Sequence, residues 1–155
     1  MATAVAAATR QSVANSLINR IFPVAGGPAE IALSVSAGQY FGRDFRIVGT
    51  PQSWKPVHGT YNAQQGYWIF RPDVNMCWQA ENSNGPFSYW NLDGRAAGSP
   101  QDWELFVFEP APGGSPGVVL VRNIWGAYVN FDAADAVFRC TAPRSGAELF
   151  TVDGC

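Results

Sequence analysis

Charge is scarce in this sequence. Of its 155 residues, 14% are charged, against roughly one quarter in an ordinary soluble domain. The formal net charge is −2, and the basic residues are nine arginines and a single lysine, Lys55. No basic run is present, which argues against a nucleic-acid partner. Histidine occurs once, as His58, so no histidine-based metal site can be built. Cysteine occurs three times, an odd number that closes no disulfide framework. No Cys-x-x-Cys pair exists, so a zinc site is not expected. Cys77 and Cys140 lie at strand-like spacing and are expected to be buried, while Cys155 is the last residue. The chain also lacks an apolar run long enough to span a membrane. Its first residues have no basic n-region, and Arg10 and Arg20 interrupt the apolar stretch, so a signal peptide is not expected. A chain made in the cytoplasm, and residing there or inside a virion, follows as the expectation.

Apolar residues make up 47% of the chain and aromatics 14%. Sixteen glycines and eleven prolines suit short strands joined by tight turns. The stretch Gln101-Asp102-Trp103-Glu104-Leu105-Phe106 has an echo in Gln65-Gly66-Tyr67-Trp68-Ile69-Phe70 and an eroded copy in Ser145-Gly146-Ala147-Glu148-Leu149-Phe150. Repeats at this period point to similar supersecondary units sharing one core. A second set of landmarks, Gly38–Phe41, Asn75–Trp78 and Gly126–Val129, begins each time with a residue that tolerates positive φ and then alternates toward large apolar side chains. Glu30–Val35 reads as the first strand and Arg43–Val48 as a further one. Thr50–Tyr61, with Pro51, Pro56 and Gly59, reads as a long loop. Residues 1–22 are different. They lack Gly and Pro, and Val13, Leu17, Ile18 and Ile21 recur at helical spacing. The expected division is a helical arm and linker over 1–28 and an all-β domain over 29–155.

Three units of turn, strand, loop and strand resemble a β-trefoil. The phrase from Trp103 to Glu109, followed by Val118–Val121, Gly126–Val129, Phe138–Cys140 and Glu148–Phe150, is similar to a fascin-type trefoil repeat. The Gln-x-aromatic step resembles the Gln-x-Trp step of ricin-type trefoils. The resemblance covers about the last 65 residues best and does not reach the first 25. It implies a three-fold all-β fold and says more about core than about activity. Trp103, Tyr67, Phe70, Phe106 and Phe150 are accordingly expected in the core.

Catalytic motifs do not survive inspection. Gly113-Gly114-Ser115-Pro116-Gly117 matches Gly-x-Ser-x-Gly, but a nucleophile elbow needs a helix after its Ser, and here Pro116 and a strand follow. His58 has no orienting carboxylate or nucleophile singled out for it. No catalytic residue, metal ligand or cofactor is assigned. A sugar site would use a ring under the apolar face of the sugar with carboxylates and carboxamides on its hydroxyls. Asp73, Trp78, Glu81 and Asn82 are one candidate set, and Asn123, Trp125 and Asn130 another. The low charge and the apolar arm favour a non-enzymatic module bound to other protein subunits, its own copies included. Val13, Leu17, Ile18 and Ile21 would make the contacts, as in a decoration, capsid-stabilising or tail protein of a virus or phage. A lectin-like trefoil is the alternative, and a protease inhibitor using a loop at 50–61 or 111–117 comes third.

Overall fold

The computed structural model describes residues 30–74, 76–80, 90–91, 93–96, 104–113 and 117–154, and these fold as an all-β chain in one curled sheet. The expected arm, with Val13, Leu17, Ile18 and Ile21, lies outside the described residues, as do Glu81, Asn82 and Trp103. In chain order come β1 (Ile31–Ser36), β2 (Gln39–Phe41), β3 (Ile47–Val48) and β4 (Lys55–Tyr61). Next are β5 (Gln64–Phe70), β6 (Met76–Gln79), β7 (Trp90–Asn91), β8 (Asp93–Ala96) and β9 (Leu105–Pro110). The chain finishes with β10 (Val118–Asn123), β11 (Tyr128–Asp132), β12 (Val137–Ala142) and β13 (Phe150–Gly154).

Six strands are joined in a circuit of antiparallel pairs. β1 pairs with β13, β13 with β10, β10 with β9, β9 with β5 and β5 with β4. The return from β4 to β1 is a single bridge, Ile31 to Trp54. It is closed by two hydrogen bonds, Ile31 N to Trp54 O at 2.8 Å and Trp54 N to Ile31 O at 2.7 Å. Off this circuit lie three further antiparallel pairs, β2 with β3, β6 with β8, and β11 with β12.

The register adds to the reading of the repeated motif. Tyr67 of β5 lies opposite Phe106 of β9 and Trp68 opposite Leu105, so the described end of the second copy meets the middle of the first across the sheet. Three large rings, Trp54, Phe106 and Phe150, lie opposite Ile31, Tyr67 and Val119. All three are fully buried. The stretch Thr50–Tyr61 is likewise corrected: its second half is β4, paired residue for residue with β5 from Lys55–Phe70 to Tyr61–Gln64. Pro56 is tolerated because β4 carries a partner strand along only one side. Gly59 is required because a Cβ there would collide with the ring of Trp68 on β5.

Phe41 occupies the middle of the core. Its ring stacks on Trp78 with centroids 4.6 Å apart and on Phe138 at 4.3 Å, and meets Trp54 and Phe150 edge-on at 5.8 Å each. Aromatic pairs in these geometries add about 0.5–1.5 kcal/mol each beyond the area they bury. The expected burial of Cys77, Cys140, Phe106 and Phe150 holds, whereas Tyr67 and Phe70 are only half-buried.

The β4–β5 hairpin turns through Asn62 (φ 48°) and Ala63 (φ 65°), both left-handed. Two-residue hairpin turns of this kind favour Asn-Gly, since a Cβ in that region costs about 1–2 kcal/mol. Ala63→Gly is therefore expected to stabilise the domain by about 1 kcal/mol, after the entropy that glycine adds to the unfolded chain. A urea unfolding midpoint that fails to rise would count against this turn geometry.

Candidate functional site

The β2–β3 loop, residues 42–46, is held in an unusual shape. Phe45 has φ 61°, a left-handed conformation that a bulky side chain rarely adopts. Neighbouring groups fix it there. The Phe45 N–H donates to Gly42 O at 2.9 Å, and its carbonyl accepts from Phe138 N at 2.7 Å. Its ring stacks on Trp54 at 6.2 Å and meets Trp78 edge-on at 6.3 Å. Asp44 turns its Oδ1 to the Arg46 N–H at 3.2 Å.

This loop and the β5–β6 turn form the two walls of a cleft of about 280 Å³. Phe45, Trp54, Met76 and Trp78 supply apolar walls, with Cys77 beside them, and Arg43, Asp44 and Arg71 supply the polar ones. Arg43 ties three segments together. Its backbone N–H donates to Gln52 Oε1 at 2.7 Å, its Nη2 reaches Ser53 O and Oγ at 3.3 and 3.1 Å, and its Nη1 lies 3.4 Å from Asp73. Arg71 grips the same carboxylate in a fork, Nε to Oδ1 at 3.1 Å and Nη2 to Oδ2 at 2.8 Å. The hydrogen bonds from Arg71 hold the Asp73 carboxyl below its usual range, and they raise Arg71 in turn. Two donors in the cleft walls remain unanswered. Arg43 Nε and Trp78 Nε1 are buried and have no hydrogen-bond partner among the described residues.

The residues expected to bind sugar are dispersed, and those described carry structural duties. Trp78 is 0% exposed and stacked on Phe41, so it is a core residue and not a platform for a sugar ring. Asp73 is exposed but shared between two guanidiniums. Asn123 is buried, and its Oδ1 accepts from the N–H groups of Trp125 at 3.0 Å and Ala127 at 2.9 Å, closing the β10–β11 turn. Asn130 Oδ1 accepts from Thr141 N at 3.2 Å and Thr141 Oγ1 at 3.1 Å. Trp125 is half-buried in that turn. His58 stands on β4 with its ring edge-on to Tyr67 at 5.5 Å. No group of three or more His, Cys, Asp or Glu that could hold a metal occurs among the described residues.

A second polar cluster was not legible in the sequence. Glu109 on β9 accepts from Tyr128 Oη at 2.6 and 2.9 Å, and lies 3.5 Å from Arg122 and 3.9 Å from Arg144. Burial is the main reason the Tyr128 hydroxyl titrates above its usual value, and the hydrogen bond to Glu109 adds to it. Deep in the core, burial pushes the Cys140 thiol up to about 12. Its Sγ lies 3.1 Å from Ala127 O.

The chain matches no known protein-family model, and no curated protein matches it in sequence.

Asn123→Ala strips the buried Ala127 N–H and the half-buried Trp125 N–H of their acceptor and is expected to cost about 1–3 kcal/mol in chemical denaturation. A near-neutral result would mean that the carboxamide is not the turn's clasp. For Asp73, Arg71→Gln should move its carboxyl titration up toward the ordinary aspartate value, read by carboxyl NMR. The sign follows from the depressed folded value. The ion pair contributes stability above the ordinary Asp range and loses it as pH falls through the folded titration point.

Proposed function

We propose that this chain is a non-enzymatic β-trefoil module that works as a component of a larger protein assembly, of the kind that decorates or stabilises a virus or phage particle. The trefoil reading is supported by the circuit of six strands with three antiparallel pairs branching from it at β1, β5 and β10, and by the placement of Trp54, Phe106 and Phe150 along that circuit.

The observation that carries the assembly reading is the fate of the arginines. Arg43, Arg71, Arg122, Arg139 and Arg144 all lie against carboxylates of the same chain. Arg46 donates to the carbonyls of Asp135 and Ala136. Charge is already scarce in this sequence, and what the described residues hold is largely spent internally. The surface between the clusters is consequently near neutral. Such a surface is costly to keep for a protein that must stay dispersed, and it suits burial against a neighbour, because interface cores are depleted in charge. Leu149, 51% exposed, and Val74, 42% exposed, are apolar points on that surface.

The lectin reading is weaker on the same ground. Trp78, Asn123 and Asn130 have their faces or acceptor groups occupied, which leaves Trp125 and the exposed Asp73 as its remaining described candidates.

Light scattering on the full chain tests the proposal. The wild type should show a defined oligomer. A double variant, Leu17→Asp with Ile21→Asp, should drop to the mass of a single chain while keeping its thermal unfolding transition. A wild-type monomer at all concentrations, unchanged by the substitutions, would overturn self-assembly through the arm.

A further inference from the structure

We propose that the open end of the six-strand circuit is a seat for Phe22 of the same chain. The seated ring anchors the arm and leaves Val13, Leu17, Ile18 and Ile21 to a neighbour. Seat and ring belong to one chain, so the anchor does not rest on the assembly reading.

The seat follows from the strand register. Side chains on one face of a strand recur at every second residue. Leading into and along β4, that face runs from Trp54 through Pro56 and His58 to Thr60. Cover falls along it: Trp54 and Pro56 are buried, His58 is half-buried and Thr60 is exposed. On β9 the same face runs from Phe106, fully buried, to Phe108 and Pro110, both half-buried. Tyr67 of β5 stands opposite His58 on one side and Phe106 on the other, so it shares this face. Its half-buried ring meets His58 edge-on at 5.5 Å and Phe108 edge-on at 5.7 Å. Phe41 and Trp78 cover Trp54, Phe106 and Phe150 at the closed end. The end toward which β4 and β9 run is rimmed by the rings of His58, Tyr67 and Phe108.

The chain enters at this same end. β1 runs antiparallel to β13, with Ile31 opposite Gly154, and its bridge to Trp54 is antiparallel as well. β4 and β13 lead away from the closed end, so β1 leads toward it, and its first residue is approached from the open side. Residues 1–29 hold one aromatic, Phe22. Nine residue steps separate it from Ile31, about 30 Å at full stretch. β9 lies only three strands from β1 in the circuit, at about 5 Å for each step. Pro23, Gly26, Gly27 and Pro28 favour a change of direction on the way. Charge agrees with this placement. Residues 1–29 carry Arg10 and Arg20 and no acid, and the exposed Glu30 and Asp153 stand where β1 begins and β13 ends. A third ring set edge-on or offset against Tyr67 and Phe108 is an arrangement that aromatic clusters prefer. A tether this short keeps Phe22 near the seat at about millimolar effective concentration, ahead of the same segment of a neighbour.

The test uses NMR on the full chain. Ring protons of Phe22 should show nuclear Overhauser contacts to Tyr67 and Phe108. In a mixture of labelled and unlabelled chains, an isotope-filtered spectrum should show no such contact between chains. Phe22→Ala should lower amide-exchange protection over residues 58–67 by about tenfold or more, since the loss of a buried ring is felt first where it sits. Protection in β11 and β12 should stay as in the wild type. Absence of both ring contacts would overturn the proposal. So would contacts found only between chains, or unchanged protection over 58–67 in Phe22→Ala. Oligomeric state does not enter these readouts, so a monomeric chain would count against the assembly reading and not against the anchor.

Discussion

The stack of Phe41 between Trp78 and Phe138 is the contact on which the rest of this structure depends. Each ring comes from a different strand outside the circuit, β2, β6 and β12, and a two-stranded pair is too small to bury an apolar face by itself. Two-stranded pairs are marginal in water. Pressing three of them together at one point turns them into a common core. Trp54, just before β4, joins the same cluster with Phe106 of β9 and Phe150 of β13, so the circuit and the strands off it are stabilised by the same side chains. A truncation at Phe41 would remove contacts to five rings at once, and their loss would not be additive.

That shared core explains the site. The 42–46 loop follows Phe41 immediately, and its Phe45 is drawn in over Trp54 by the same aromatic cluster. The bond from Phe138 N to Phe45 O anchors the loop to β12. Arg43 then extends outward to Gln52, Ser53 and Asp73, stitching the loop to two other segments. The cleft is thus a by-product of packing that has been given polar walls. Its backbone strain is held by hydrogen bonds on both sides of Phe45.

The sequence made the fold class legible through alternation and the turn residues, and it did so for physical reasons. Gly38 and Gly126 do sit at positive φ before β2 and β11. It misled where two demands coincide. Residues 65–70 and 101–106 read as copies along the chain, and spacing carries no signal that Tyr67 and Trp68 meet Phe106 and Leu105 across the sheet. Pro56 and Gly59 read as loop signals, yet one is permitted by an unpaired strand side and the other is demanded by Trp68. The Asn62-Ala63 turn escaped notice because it lacks the expected glycine. The site residues were the least legible. Asn123, Asn130 and Trp78 have the right chemistry for a sugar, and what decides their role is which backbone N–H or which ring happens to stand beside them. The Arg43–Asp73–Arg71 cluster joins residues from separate loops, and spacing along the chain carries no signal for it.

The pairing of β1 with β13 joins Ile31 to Gly154, nearly the full span of the described chain. A contact of that separation is among the most expensive in loop entropy and the last to be rewarded, which places this topology among slow folders. On the ribosome the circuit cannot close while the final strand is still inside the exit tunnel. Until then both β1 and β10 wait with an open edge where β13 will lie. For a protein with so few charges to keep nascent chains apart, the interval between synthesis of β1 and release of β13 is when it is most exposed to pairing with the wrong strand.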